Sequence, residues 1–256
     1  MADAPVLELR RVSKSFGAVQ ALYEVDFHVA PGEIMALVGD NGAGKSTLIK
    51  CIAGIHPFDG GEIVFDGEVV DIHGPRDAAR LGIEVVYQDL ALADNLDVVQ
   101  NMYLGRELTD GVRRLDETTM EARARETLTS LSVTTLQSVR QTVAGLSGGQ
   151  RQSVAVAKAV MWNSRVVILD EPTAALGVAQ TRQVLDLVRR LGEQGLAVIL
   201  ISHNLHDIFE VADSITVLRL GQNVAEFKRR ETNQQEVVEA ITAGKLSKVP
   251  GAEAVT

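Results

Sequence analysis

An uninterrupted apolar run, Ile34-Met-Ala-Leu-Val38, passes directly into Gly39-Asp-Asn-Gly-Ala-Gly44-Lys45-Ser46-Thr47 and then into helix-forming sequence as far as about Ala53. No other stretch restricts the fold so tightly. An apolar run without alternation marks a strand covered on both faces, as in a parallel sheet. The loop after it fits G-x-x-x-x-G-K-[ST], and strand–loop–helix is the setting that motif requires. Its glycines, Gly39, Gly42 and Gly44, let the backbone wrap an anion without Cβ clashes. Exposed amides through Asn41, Ala43 and the helix start at Ser46 and Thr47 favour phosphate. Lys45 is placed to reach β- and γ-phosphates, and the Ser46 hydroxyl to ligate Mg²⁺. The rival explanation is a glycine-rich strand-to-helix turn that binds nothing; the pattern arises by chance in roughly one chain of this length in a hundred.

The flanking sequence supplies a frame for that loop. Tyr23, Val25, Phe27 and Val29 alternate with polar or small residues up to a Pro31-Gly32 turn. Ile63-Val-Phe65 and Val69-Val70, joined at Asp66-Gly67, read as a hairpin, and Ile83-Glu-Val-Val-Tyr87 as a further strand. Residues 91–162 differ in kind, with helical spacing over 118–131 and 150–162 and no strong strand between. Strand patterns return at Val166-Val-Ile-Leu169, 197–201 and 214–218, alternating with helices at about 180–191 and 205–212. Such alternation predicts a parallel sheet with crossovers. The expected organisation is therefore an α/β core over about 5–90 and 163–227, interrupted by a helical insertion over 91–162. A short helix near 233–243 and a frayed end are expected in the polar tail, 231–256.

Composition narrows the class of protein. At about 150 residues per domain, 256 residues allow one or two domains. The single Cys51 cannot form an internal disulfide, which fits a reducing compartment. With 25 Lys+Arg against 34 Asp+Glu the net charge is −9, arguing against a general nucleic-acid binder. The N-terminus has no signal-peptide pattern, and the longest apolar runs are strand-sized, whereas a membrane span takes about 20 residues. Any membrane role is expected to come through a partner.

A second acidic site follows. Val166-Val-Ile-Leu-Asp170-Glu171 ends a hydrophobic strand on two carboxylates, whose side chains point to opposite sides. Asp170 is expected to face Mg²⁺ and Glu171 to polarise an attacking water; solvated acids at a strand end are the alternative. About twenty residues upstream lies Leu146-Ser-Gly-Gly-Gln150. Ser147 is placed as an N-cap, and Gly148 and Gly149 bare the backbone at the helix start, a second anion site.

A phosphate loop, Gln88 after a strand, LSGGQ ending on Gln150, LDEP, and His203 after the next strand occur in this order. The set resembles the ATPase subunits of ABC transporters over about residues 5–230. The resemblance implies a P-loop NTPase (RecA-like) α/β core with an N-terminal antiparallel β subdomain and an inserted α-helical subdomain. It implies ATP and Mg²⁺, with Phe16 stacked on adenine, Gln88 reaching Mg²⁺ and the water, and His203 holding the geometry of Glu171. His203 and His206, at i and i+3, also have the spacing of a metal pair, but no further ligand cluster accompanies them. Two positions depart from the family pattern. Gly177 stands where an Asp usually ends the loop after LDEPT, which puts its contact with the opposite subunit in doubt, and Phe16 stands where Tyr is common.

The stretches around 86–98, Asn101-Met-Tyr-Leu-Gly105-Arg106-Glu107 and 171–178 resemble the ATPases of ribose-, xylose- and fructose-type importers. That resemblance implies import of a monosaccharide, a second ATPase cassette as partner (a homodimer), membrane permease subunits, a secreted or periplasmic sugar-binding protein, and a cytoplasmic, peripheral position on the inner membrane face. An importer of another small solute is the near alternative. A soluble ABC protein acting on ribosomes or DNA, or a nucleotide kinase, is the distant one. Leu90, Leu92, Leu96 and Val98 are expected to offer a groove to a permease helix, or else to pack within the insertion.

Overall fold

The computed structural model describes residues 4–111 and 114–244. Four strands, β1 (Leu7–Phe16), β2 (Val19–Val29), β4 (Gly60–Phe65) and β5 (Glu68–Val70), form an antiparallel sheet in the order β2-β1-β4-β5. A second sheet contains β3 (Ile34–Val38), β6 (Ile83–Val86), β7 (Val166–Asp170), β8 (Ala197–Ile201), β9 (Ser214–Arg219) and β10 (Gln222–Lys228). Its order is β10-β9-β3-β8-β7-β6. Every neighbouring pair is parallel except β10 on β9.

The central strands are apolar throughout because both of their faces are covered. Met35, Leu37, Val166, Ile168, Ile199 and Ile201 pack into one core with the antiparallel sheet, α1 (Lys45–Ile52) and α2 (Pro75–Arg80). Ala36, Val38, Val167, Leu169, Val198 and Leu200 pack into the other. That second core takes in α3 (Val98–Tyr103), α4 (Glu117–Ser130), α5 (Gly148–Val160), α6 (Val178–Glu193), α7 (Leu205–Val211) and α8 (Gln234–Ala243). Alternate residues of one strand thus serve opposite layers. Helices α3, α4 and α5 lie in sequence between β6 and β7, where helical spacing replaces the strand pattern.

The fold departs from the sequence reading in three places. Tyr23 does not share the buried face of Val25, Phe27 and Val29: it is exposed, and Leu22 is buried instead. Glu24 adopts φ 45°, and the register on β1 shifts between Val12↔Val25 and Lys14↔Leu22. This bulge inserts one residue and turns the side chains over. Strand β10 was not expected, because of its residues only Ala225 is buried. It pairs on one side only, so it needs no apolar run. Helix α2, six residues that the sequence reading did not place, follows Gly74 with Pro75 at its first position. Helix α8 matches the expected 233–243, and the remainder of the tail lies outside the described residues.

Candidate functional site

Four parallel strands end side by side. Leu37 of β3 pairs with Ile201 of β8, Asp170 of β7 also pairs with Ile201, and Val86 of β6 pairs with Leu169. The segments that follow (39–44, 87–88, 171–177 and 202–204) therefore leave the same carboxyl edge of the sheet. Open α/β sheets bind ligands at this edge.

The phosphate loop is shaped by close packing. Gly39 has φ +154°, and a Cβ there would lie 2.2 Å from the Leu218 carbonyl oxygen. At Gly44, φ +104°, a Cβ would meet Leu22 at 2.8 Å and the Ala21 carbonyl at 2.9 Å. Ala43 is buried, and its carbonyl accepts from the Gly221 amide at 3.0 Å. Both flanks of the loop are thus clamped against β2 and the β9–β10 turn, while Asn41, Gly42 and Ser46 stay exposed. Gly44 precedes α1 without a side-chain cap, and the first turn of α1 contains no acid. The opening amides of the helix, at Lys45, Ser46 and Thr47, have no partner within it and retain its positive end.

Lys45 lies across this opening. Its ammonium donates to the carbonyls of Gly39 at 2.7 Å and Asp40 at 3.1 Å. Burial pulls its pKa below the ordinary lysine value, against the opposing charges of Glu171, Asp40 and Asp170. Asp170 shares strand parity with Val166 and Ile168, so it projects on the α1 side of the sheet. Burial, then the neighbouring Glu171 charge, raise its pKa, while Lys45 and Lys50 oppose the rise. Glu171, the first residue past β7, takes φ 51° and donates its amide to the Ile201 carbonyl at 2.9 Å. Its carboxylate Oε2 lies 2.8 Å from Nδ1 of His203. Glu171 is largely buried and His203 largely exposed, so the pair stands at the mouth of the edge with the imidazole outermost.

Gln88 is exposed two residues beyond β6; continuing the pairing of Val86 with Leu169 puts Tyr87 level with Asp170 and Gln88 level with Glu171. Tyr87, between β6 and Gln88 in the chain, is not among the residues that the sequence picks out. It is half-buried, and its phenol pKa is raised by burial and by the Asp170 charge. Its only signal was its place beside Gln88. Phe16, at the end of β1, is an exposed ring rather than a core one. The His56 ring meets it edge-on at 5.1 Å, and the Lys14 ammonium sits 5.5 Å from its centroid. His206 adds nothing to His203: among the described residues no group of three or more His, Cys, Asp or Glu is placed to hold a metal.

The 147–150 segment lies apart. Ser147 Oγ accepts from the Gln150 amide at 3.3 Å, and Gln150 Oε1 accepts from the Ser147 amide at 2.9 Å, a closed capping box on α5. Gln150 Nε2 also donates to the Thr135 carbonyl at 2.6 Å. Gly149 is buried against Gln180 of α6, while Ser147 and Gly148 face solvent. Among the described residues no hydrogen bond or ion pair joins this segment to the phosphate loop. Of the expected groove residues, Val98 is fully buried in the core and offers nothing to a partner; Leu90 and Leu92 pack half-buried against the same core.

Residues 22–174 match the family model for the ABC transporter. The chain belongs to that family. It is an ABC ATPase, with the α/β P-loop fold that its sequence predicts. It is 47% identical to the xylose/arabinose import ATP-binding protein of Sulfolobus acidocaldarius, over 95% of this chain and 96% of that one. It is 45% identical to the fructose import ATP-binding protein of Rhizobium meliloti, over 96% of both chains. Among solved structures it is similar to a dimeric ATP-binding cassette in a post-hydrolysis state bound to ADP and phosphate. That match has a TM-score of 0.72 and 25% identity, covering 88% of this chain and all of that one. No helix among the described residues is long and apolar enough to cross a membrane.

Proposed function

We propose that this ABC ATPase hydrolyses ATP to power the import of a monosaccharide through membrane permease subunits. The observation that carries the catalytic part is the convergence of Lys45, Asp170, Glu171 and His203 on one carboxyl sheet edge. The import names of relatives aligned over nearly their whole length support the sugar.

The residues at the edge fit ATP with Mg²⁺. Gly39 and Gly44 let the loop pack on β2 and the β9–β10 turn where a Cβ would clash, Asn41 and Gly42 stay exposed, α1 starts without an acid, and Lys45 supplies the charge for the β- and γ-phosphates. Ser46, Asp170 and Gln88 would hold Mg²⁺, which when bound neutralises charge on the phosphate oxygens. Asp170, kept on the α1 side by strand parity, is a carboxylate whose charge burial disfavours, so a cation there relieves it. Glu171 takes the proton of the water that attacks the γ-phosphorus, as the bond to the leaving ADP oxygen breaks. His203 holds the Glu171 carboxylate through its 2.8 Å contact and reaches the γ-phosphate from the solvent side. Phe16 offers an exposed face for adenine to stack on.

Ser147 and Gly148 of the signature are exposed and, among the described residues, unbonded to the chain's own phosphate loop, so the signature serves the nucleotide of a second cassette. The dimeric relative supports a two-fold arrangement of two such chains. Gln88 and the segment after it lead into the helical insertion, 91–162, which carries the permease contact. The protein works on the cytoplasmic face of the membrane, with a sugar-binding protein delivering solute from outside.

Reconstitution with the permease and a binding protein tests this reading. Wild-type complex takes up labelled xylose, ribose or fructose with ATP, and Glu171→Gln complex binds ATP but loses turnover by about 10²–10⁴-fold. Turnover within a few-fold of wild type removes Glu171 from its role. ATP-driven uptake of a different solute class, with none of the three sugars carried, moves the protein to another importer group.

A further inference from the structure

The 171–177 loop carries two non-glycine residues in the left-handed region, Glu171 at φ 51° and Ala175 at φ 59°. Such conformations cost about 1–3 kcal/mol each and persist only where surrounding contacts over-determine them. Local hydrogen bonds, from the Ala174 amide to the Glu171 carbonyl at 3.1 Å and from the Leu176 amide to the Thr173 carbonyl at 3.3 Å, curl the loop without anchoring it. Three contacts reach outward to the neighbouring strand and its loop. The Glu171 amide meets the Ile201 carbonyl, and the Glu171 carboxylate meets exposed His203. The third joins Thr173 to Asp207: the threonine Oγ1 donates to Asp207 Oδ2 at 2.7 Å.

Asp207 is an unusual anchor. It is only 3% exposed. It is the third residue of α7, after the Asn204 cap whose side chain accepts from the His206 amide. At that position the positive end of the helix tolerates a carboxylate. No ion pair reaches it among the described residues, and the Thr173 hydroxyl is its one side-chain hydrogen bond. A carboxyl group kept this deeply buried, with a threonine hydroxyl as its side-chain partner, argues for a task beyond packing.

We propose that Asp207 is a positioning residue for hydrolysis: through Thr173 it clamps the 171–177 loop to α7, which follows His203, and so fixes where the Glu171 carboxylate points. The proposal rests on Glu171 being the base. His203, at the solvent side, then ties the loop to the segment after β8, and the part-buried Thr173–Asp207 bond, on a carboxylate only 3% exposed, ties it to α7.

The test uses the full chain and counts active sites by bound nucleotide. Thr173→Val removes the hydroxyl at constant shape, and Asp207→Asn keeps an acceptor without charge. A misplacement of about 1 Å at a reacting centre can cost about 100-fold, so Thr173→Val should lower kcat by about 10- to 100-fold with KM for ATP unchanged. Asp207→Asn should retain kcat within about 3-fold, and Asp207→Ala should match Thr173→Val. In a Glu171→Gln background, where no base remains to be aimed, Thr173→Val should leave the residual single-turnover rate unaltered. Wild-type kcat in Thr173→Val, or an equal loss in both backgrounds, overturns the proposal while leaving the base assignment standing. Wild-type turnover in Glu171→Gln alone overturns the base assignment, and the proposal falls with it.

Discussion

The phosphate loop and the signature segment are both glycine-containing turns before a helix, and they are built in opposite ways. The first is held by the core. Gly39 and Gly44 touch backbone or buried side chains of three other strands or turns, and the charges around Lys45 and Asp170 are strained by burial. The second is closed by its own capping box between Ser147 and Gln150; Gln150 is also tied to Thr135 and Gly149 packs on Gln180, while Ser147 and Gly148 stay open to solvent. A site that must grip its own nucleotide is fixed by tertiary packing. A surface proposed to meet another molecule is closed by a local cap and left open to solvent.

Mixing variants of the two regions puts this contrast under the greatest load. Lys45→Ala removes a phosphate partner and Ser147→Arg blocks the signature; each should cut turnover by about 10²–10³-fold alone. In a 1:1 mixture about half of the dimers are mixed, and each collects both defects in one site, so about a quarter of the sites are whole. Recovery to roughly that level, with mixed dimers verified by cross-linking, is the expected result. Full activity in a verified monomer would break the idea that the two regions act across an interface.

Steric pressure comes next in size. Gly39→Ala combines backbone strain with a clash against a carbonyl and should cost about 2–4 kcal/mol, which lowers Tm by roughly 5–15 °C. The matching change in the other region, Gly148→Ala, meets only the end of the Leu176 side chain and should cost under about 1 kcal/mol. Equal losses on thermal melting would erase the distinction. Ser147→Ala should lower stability by about 1 kcal/mol through the lost cap, again read as Tm.

The smallest effect is one of pH. Asp170 holds its proton more tightly folded than unfolded, so its charge destabilises the nucleotide-free protein above its raised titration range and not below the ordinary value of 3.8. Asp170→Asn should therefore raise Tm at neutral pH, and the gain should shrink to nothing as the pH falls through that range. A gain that persists in acid, or none at neutral pH, would show that burial there carries no charge penalty.

Much of this was legible beforehand because it depends on local rules. A both-faces-covered strand, a glycine-rich turn and a helix start define the phosphate loop within some fifteen residues. The period-2 alternation of Val25, Phe27 and Val29 held, yet it failed at Tyr23, since a bulge depends on the partner strand rather than on the chain that carries it. The polar β10 was invisible for a similar reason: its single neighbour, β9, supplies all of its pairing. Val98 looked available to a partner because apolar spacing cannot tell a core face from a docking face.

The sequence by itself determined which groups this protein owns and the order in which they come: the loop and Lys45, then Gln88, the signature, Asp170 with Glu171, and His203. Each is encoded by short-range chemistry, in turn, cap and strand-end signals. The tertiary structure alone decided which of them meet. Parallel register brings four strand ends level, so residues more than a hundred positions apart share one edge. Parity turns Asp170 toward α1, and a bond from Thr173 to buried Asp207 ties the loop after β7 to α7, which no spacing rule connects. Contacts across a sheet depend on register, and register is a property of the assembled layers.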